Sequence, residues 1–194
     1  MNNSKIYFVL FSLLIFAVLS SCNTDYQPKP KAYFRIDFPE KTYRKLDSIY
    51  PYSFNIPTYA IVTPDYYSPN EKDWINIVFP EFNGQLHLSY KKIEGNLVEY
   101  MEDSRTMAYK HIPKASYIEN RVIINPESKV YGLIYEINGM GVASPYQFFV
   151  TDSASHFLRG ALYFNMIPNN DSLAPVIDFL KEDIENLILS LEWK

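Results

Sequence analysis

The sequence predicts an α+β domain, a mostly antiparallel sheet with helices packed against it. Three observations carry this. Short segments of period-two hydrophobicity recur through the chain, separated by Pro, Gly and Asn-rich turns. The 17 Tyr and 13 Phe bring aromatics to 16% of the sequence, and these side chains suit half-buried sheet surfaces. Two stretches switch to a helical period, one mid-chain and one after the last strand. Strands, a helix, hairpin-connected strands and a second helix, in that order, fit a sheet covered by helices.

Ahead of the domain stands a leader. Lys5 precedes an apolar run over residues 6–19, interrupted by Ser12. The run is shorter than the roughly 20 residues a spanning helix needs, and it suits the core of a secretory signal. Leu19, Ser20, Ser21 and Cys22 then form a lipoprotein-type cleavage box around the one cysteine of the chain. Residues 1–21 are thus expected to be a signal peptide, with Cys22 lipidated after cleavage. Multiple acyl chains anchor a protein stably where one does not. The alternative is an ordinary cleaved signal with an incidental cysteine. Residues 22–31, with Pro28 and Pro30, read as an extended spacer, and residues 32–194 as one domain, large enough for a core of its own. Lys29, Lys31, Lys41, Arg44 and Lys45 read as solvated charges on this stem, with anionic head groups as the alternative partner.

Along the domain, residues 33–38 alternate and predict a first strand, which Pro39 ends. Residues 40–49 read as a loop or helical turn. Residues 52–56 alternate up to Pro57, and residues 59–62 are a short apolar run before Pro64. Residues 74–79 and 85–90 predict two strands joined by a turn at residues 80–84. Residues 95–111 form an amphipathic helix, with Leu97, Val98, Met101, Ser104 and Ala108 as its apolar stripe. Residues 117–124, 130–137, 145–150 and 156–164 are four further strands, with Asn138-Gly139 marking one turn. On the last of these, His156, Leu158, Gly160, Leu162 and Phe164 share one face, and Phe157, Arg159, Ala161 and Tyr163 the other. Both faces carry apolar groups, so this strand is expected to be central and covered on both sides, which makes the architecture an α/β/α sandwich. A single-layer α+β fold with one bare sheet face is the alternative. The final helix carries Leu173, Val176, Ile177, Leu180, Ile184, Leu187, Ile188 and Leu191 on one stripe, with Ser172 as its N-cap and Pro175 in its first turn.

The chain holds 18 basic and 22 acidic residues, a net charge of −4. That balance argues against nucleic acid as a partner. With Cys22 acylated, no thiol is left for disulfides, metal binding or catalysis. His87, His111 and His156 stand at no metal-ligand spacing, so no metal or cofactor is expected. Asp152, Ser153, Ser155 and His156 have the residue types of a hydrolase triad but lack a nucleophile elbow and read as turn formers. Gly139-Met140-Gly141 is too short to cradle phosphates. Glu102-Asp103 and Glu182-Asp183 read as solvated helix faces, and no catalytic residues are assigned. Two loops stand out as contact candidates: residues 65–70 with Tyr66 and Tyr67, and residues 139–146 with Met140 and Val142. For the latter, folding back onto the core is the alternative.

Several segments together resemble the gliding-motility lipoprotein D family of the Bacteroidetes. They are the box at residues 19–22, Tyr-Phe-Arg-Ile-Asp-Phe-Pro-Glu at 33–40, residues 146–152 and 156–164, and the end of the last helix at Leu191-Glu192-Trp193. The final strands and helix are also similar to the PsbP fold. The family resemblance implies a non-enzymatic lipoprotein of the cell envelope, anchored by its N-terminal lipid. It implies a role in gliding motility and the type IX secretion system, through contacts with other gliding lipoproteins and secretion components. The outer membrane is the implied location. Asn23-Thr24-Asp25 lacks the acidic run that marks surface export, which favours the periplasmic face. A periplasmic small-ligand or peptidoglycan-binding module, with a cleft edged by the Tyr66-Tyr67 and Gly139 loops, is the alternative.

Overall fold

A computed structural model describes Tyr7, residues 35–46 and residues 49–194. Cys22, the cleavage box, the spacer and residues 33–34 lie outside the described residues. Residues 35–194 form one compact unit.

Its centre is a seven-stranded sheet in the order β4-β5-β6-β10-β9-β8-β7. These strands are β4 (Ile61–Pro64), β5 (Ile75–Phe79), β6 (Gly84–Lys92), β7 (Tyr117–Asn125), β8 (Val130–Asn138), β9 (Tyr146–Thr151) and β10 (His156–Phe164). Every neighbouring pair is antiparallel. The β5–β6 reversal uses a short 3-10 turn at Pro80–Phe82, after which Asn83 takes a left-handed φ of 48°, a conformation Asn tolerates. The chain leaves β6 through α1 (Leu97–Tyr109), runs β7 to β10 as a meander, and ends in α2 (Asn170–Leu189).

β10 lies in the middle of the sheet, as its two apolar faces predict. Leu158 and Leu162 point with Ile75, Ile77, Leu86, Leu88, Phe148 and Ile134 into the main core, where α2 seats Val176, Leu180, Ile184, Leu187 and Ile188. Phe157 and Phe149 point the other way, into a smaller core with Tyr135, Ile137, Val142 and Ala108 under α1. The sandwich is therefore helix, sheet, helix, but α1 covers its face only in part. The period of α1 holds while its stripe turns. Ser104 and Ala108 are buried and Leu97 and Tyr100 pack partly, whereas Val98 and Met101 are exposed. Tyr100 fills the place assigned to Met101, its ring tilted at 45° against that of Phe157 with centroids 5.4 Å apart.

Four other expectations change. Residues 35–42 pair with no strand among the described residues. They run as an extended segment whose Phe38 stacks on Phe179 of α2, ring centroids 4.4 Å apart. The predicted strand at residues 52–56 is two pieces, β2 (Tyr52–Ser53) and β3 (Asn55–Pro57), and β3 pairs with β1 (Tyr43–Lys45) inside the presumed loop. α2 starts at Asn170, before Ser172, because the Asn170 amide donates to the carbonyls of Gly139 and Val142 and ties the helix start to that loop. Pro175 consequently lies inside the helix. Residues 192–193 leave the helix and form β11 (Glu192–Trp193), which pairs with β2.

Glu182 and Asp183 also differ in fate. Glu182 is exposed, but Asp183 is buried in a polar clasp. Its Oδ1 accepts from Lys41 Nζ and the Tyr43 hydroxyl, each at 2.9 Å, and its Oδ2 accepts from the Tyr59 hydroxyl. Lys41, read from sequence as a solvated stem charge, instead lies over the Phe179 ring at 3.8 Å and donates to the Phe179 carbonyl. Burial, with Asp183 alongside, pushes the Tyr43 and Tyr59 hydroxyls far above the usual tyrosine range. The clasp joins the β1–β3 segment to α2.

Candidate functional site

Antiparallel register puts directly opposed residues on the same side of a sheet. On the α1 side, Ala161 of β10 is opposed by His87 of β6 and Gln147 of β9. Arg159 and Tyr163 flank it along its own strand. Gln85 opposes Tyr163, Ser89 opposes Arg159, and Asn76 of β5 opposes His87. Seven polar side chains thus surround one buried methyl group on the α1 side of the sheet.

The contacts are specific. Arg159 donates to Gln147 Oε1 at 2.6 Å. Gln85 Nε2 and His87 Nε2 are 2.7 Å apart, and the His87 ring meets Tyr163 edge-on at 5.3 Å. Arg159 is mostly buried, and no carboxylate pairs with it among the described residues. Burial pulls its pKa down, and the Tyr163 hydroxyl opposes the fall. His87 lies below the ordinary imidazole value, first through burial; Asp65 acts against this and the Arg159 charge adds to it. His111, just beyond α1, is lowered by burial and then by Arg159 and Lys114. Beside this floor opens a groove of about 490 Å³, lined among others by Tyr67, Val78, Gln85, His87, Tyr163 and Asn165.

A second surface has the opposite character. β7 is an edge strand, and among the described residues nothing pairs with its outer side. Tyr117, Val122 and Ile124 are exposed on it, with Val122 opposite Leu133 and Ile124 opposite Tyr131. A cavity of about 220 Å³ lies between this edge and α2, lined by Arg121, Ile123, Ile134, Glu185, Ile188 and Leu189 among others. Arg121 and Glu185 close an ion pair at its rim.

Residues 23–193 match the family described as gliding motility lipoprotein GldD. The chain belongs to this family. This GldD-family chain is therefore a lipoprotein of gliding motility, anchored at a membrane of the cell envelope. It is also similar to a cyanobacterial PsbP, CyanoP from Synechocystis sp. PCC 6803. That solution structure aligns with a TM-score of 0.46 at 13% identity, over 80% of this chain and 95% of that one. No curated protein matches the sequence.

The residues singled out from the GldD-family sequence are scattered. Tyr66 and Tyr67 are both exposed, and Tyr67 borders the polar groove. Met140 is exposed, on the loop tied to Asn170. Val142 is fully buried in the core under α1 and offers no contact surface, because the loop folds back against Lys114 and Asn170. The Gly139 loop does not line the groove. Asp152 Oδ1 accepts the backbone N–H groups of Ala154, Ser155 and His156. Burial alone would raise its pKa, but these bonds hold it below the usual carboxylate range. His156 is turned away from it, bonded to the Tyr90 hydroxyl at 2.8 Å and stacked on Trp193. The polar floor was the residue set that sequence reading missed. Its signal was the Arg159, Ala161, Tyr163 face of β10, which has no charge partner nearby in sequence.

Proposed function

We propose that this lipoprotein is non-enzymatic and supports assembly or stability of the gliding and type IX secretion machinery through protein contacts, from a lipid anchor on the periplasmic face of the outer membrane. The contact is an extended segment of a partner added to β7. The observation that carries the reading is the long unpaired β7 edge with exposed Tyr117, Val122 and Ile124 beside a cavity. Exposed edge strands are normally protected, and one left open with apolar side chains is a template for strand addition. In that mode, main-chain hydrogen bonds supply affinity and a side-chain cavity supplies selectivity. The opposite edge, β4, is short and ends in Pro64, which blunts it.

The test is a cross-linked pull-down of the tagged, lipidated protein from native membranes. Gliding or type IX envelope components are expected with the wild type and lost with Val122→Lys/Ile124→Lys. Recovery no greater than an untagged control, or equal recovery by the variant, refutes the reading. The groove bordered by Tyr67, His87 and Tyr163 supports a second reading, a small-ligand or peptidoglycan-binding module, since aromatics with convergent polar groups are the usual lining of such sites.

A further inference from the structure

We infer that the polar cluster around Ala161, where its Gln85, His87 and Tyr163 side meets the groove, binds a ligand through a single oxyanion group, a carboxylate or a phosphate, seated on Arg159. This gives the second reading its chemistry and is independent of docking at β7. A guanidinium taken out of water costs several kcal/mol unless a counter-charge meets it. Arg159 is mostly buried, bonds only neutral groups, the Gln147 amide and the Tyr163 hydroxyl, and has no carboxylate partner among the described residues. Asp183, a buried carboxylate, is by contrast answered by Lys41 and two tyrosine hydroxyls. Arg159 has no such counter-charge among the described residues.

What surrounds Arg159 is suited to an anion. The guanidinium carries five N–H donors in a planar fork that matches two oxygens of a carboxylate or phosphate, and Gln147 takes one of the donors. Tyr163, His87, Gln85 and Ser89 add neutral groups that can donate without cancelling the field. Asp65 acts on His87 from the loop that also carries Tyr67. Lys114 and His111 approach from the far end of α1.

A second observation points the same way. Asn76, on the same face and opposite His87, is buried, and its Oδ1 has no hydrogen-bond partner. Buried acceptors are rarely left unmet. A ligand that placed an oxyanion on Arg159 and a hydroxyl or amide toward Asn76 would meet both needs. The adjoining groove, about 490 Å³ and faced by Tyr67 and Tyr163, is large enough for a sugar ring or a short acidic peptide attached to that group.

The test is calorimetric titration of the full-length lipidated protein in detergent at low salt. The probes are N-acetylmuramic acid, its neutral counterpart N-acetylglucosamine, and inorganic phosphate. Binding of the acidic sugar or of phosphate is expected, with no detectable heat from the neutral sugar; the two positive arms separate a carboxylate from a phosphate source. Arg159→Gln should weaken that binding by about tenfold to a hundredfold, the usual worth of a charge-assisted bond. The same variant should keep or raise the melting temperature of the ligand-free protein, because it removes an uncompensated buried charge. A purely structural arginine would lower it. Tyr163→Phe, which removes the hydroxyl beside Arg159 and leaves the guanidinium in place, is the second variant and should also weaken binding. No binding by either anion, or unchanged affinity in both variants, overturns the inference. Equal binding of the neutral sugar overturns it too, while leaving the ligand-module reading standing.

Discussion

Removing the Asp183 carboxylate is the sharpest test of how the N-terminal part of the domain is held. Its side chain is 1% exposed and that of Lys41 is 23% exposed, so the pair sits in a partly dry site. Deleting one member of a buried pair costs about 3–5 kcal/mol, chiefly because the other charge stays behind. Lys41 keeps some access to water and a second carboxylate, Glu182, at 3.5 Å. That argues for the lower end, about 3 kcal/mol. The Tyr43 and Tyr59 hydroxyls also lose their acceptor, which adds roughly 1 kcal/mol each unless water reaches them. For a domain of this size, each 1 kcal/mol moves the melting temperature by about 2–4 °C. Asp183→Ala should therefore melt roughly 6–20 °C below wild type. Lys41→Met/Asp183→Leu, which removes both charges, should regain most of that loss. Differential scanning calorimetry of the single and double variants is the assay. A single-variant shift under about 3 °C, or a double variant as unstable as the single, would refute a clasp built on charge.

Other outcomes follow from the packing and burial of the domain. At Gly132 a Cβ would stand 1.9 Å from the Phe149 carbonyl oxygen, whereas at Gly160 it would meet the Phe148 ring at 2.1 Å. A ring can shift more readily than a paired backbone, so Gly160→Ala should cost about 1–3 kcal/mol in urea unfolding and Gly132→Ala more. His87 and His111 both lie below the ordinary value of 6.5, with burial as the first cause. The unfolded chain then binds more protons than the folded one, and their contribution to stability is present above pH 6.5 and lost as pH falls below it. Melting curves at about pH 7.5 and 5.5 should show this loss, and His87→Gln should shrink it. Val122→Lys/Ile124→Lys should change stability by no more than about 0.5 kcal/mol, separating its effect on partner capture from unfolding. Cys22→Ser should abolish acylation, which mass spectrometry of the mature N-terminal peptide will read directly.

What was legible depended on whether the cause was local. β10 and α2 announce themselves because each packs along its whole length, so the period of the surface they meet is written into consecutive residues. Val98 and Met101 misled because hydrophobicity at the right spacing does not say which side of a helix meets the sheet; Tyr100 wins that side by reaching Phe157. Residues 33–38 alternate like a strand, yet Phe38 is fixed by a ring 141 positions away, a contact no window can contain. Asp183 looks like its neighbour Glu182 until Lys41, Tyr43 and Tyr59 are brought to it. The polar floor was half visible: Arg159, Ala161 and Tyr163 sit on one face of one strand. His87, Gln147 and Asn76 join them only through the register of three neighbouring strands.

The pairing of β11 with β2 also has a bearing on time. Ser53 and Glu192 are bonded across a sequence separation of 139 residues, and Lys194 donates its backbone N–H to Pro51 at 3.0 Å. Contacts of such span carry a large loop-closure cost and form late. Tyr52 and Phe54, both fully buried in the finished domain, therefore wait for the end of the chain, and any synthesis or transport that runs from the N-terminus leaves them without their final neighbours until residues 192–194 arrive.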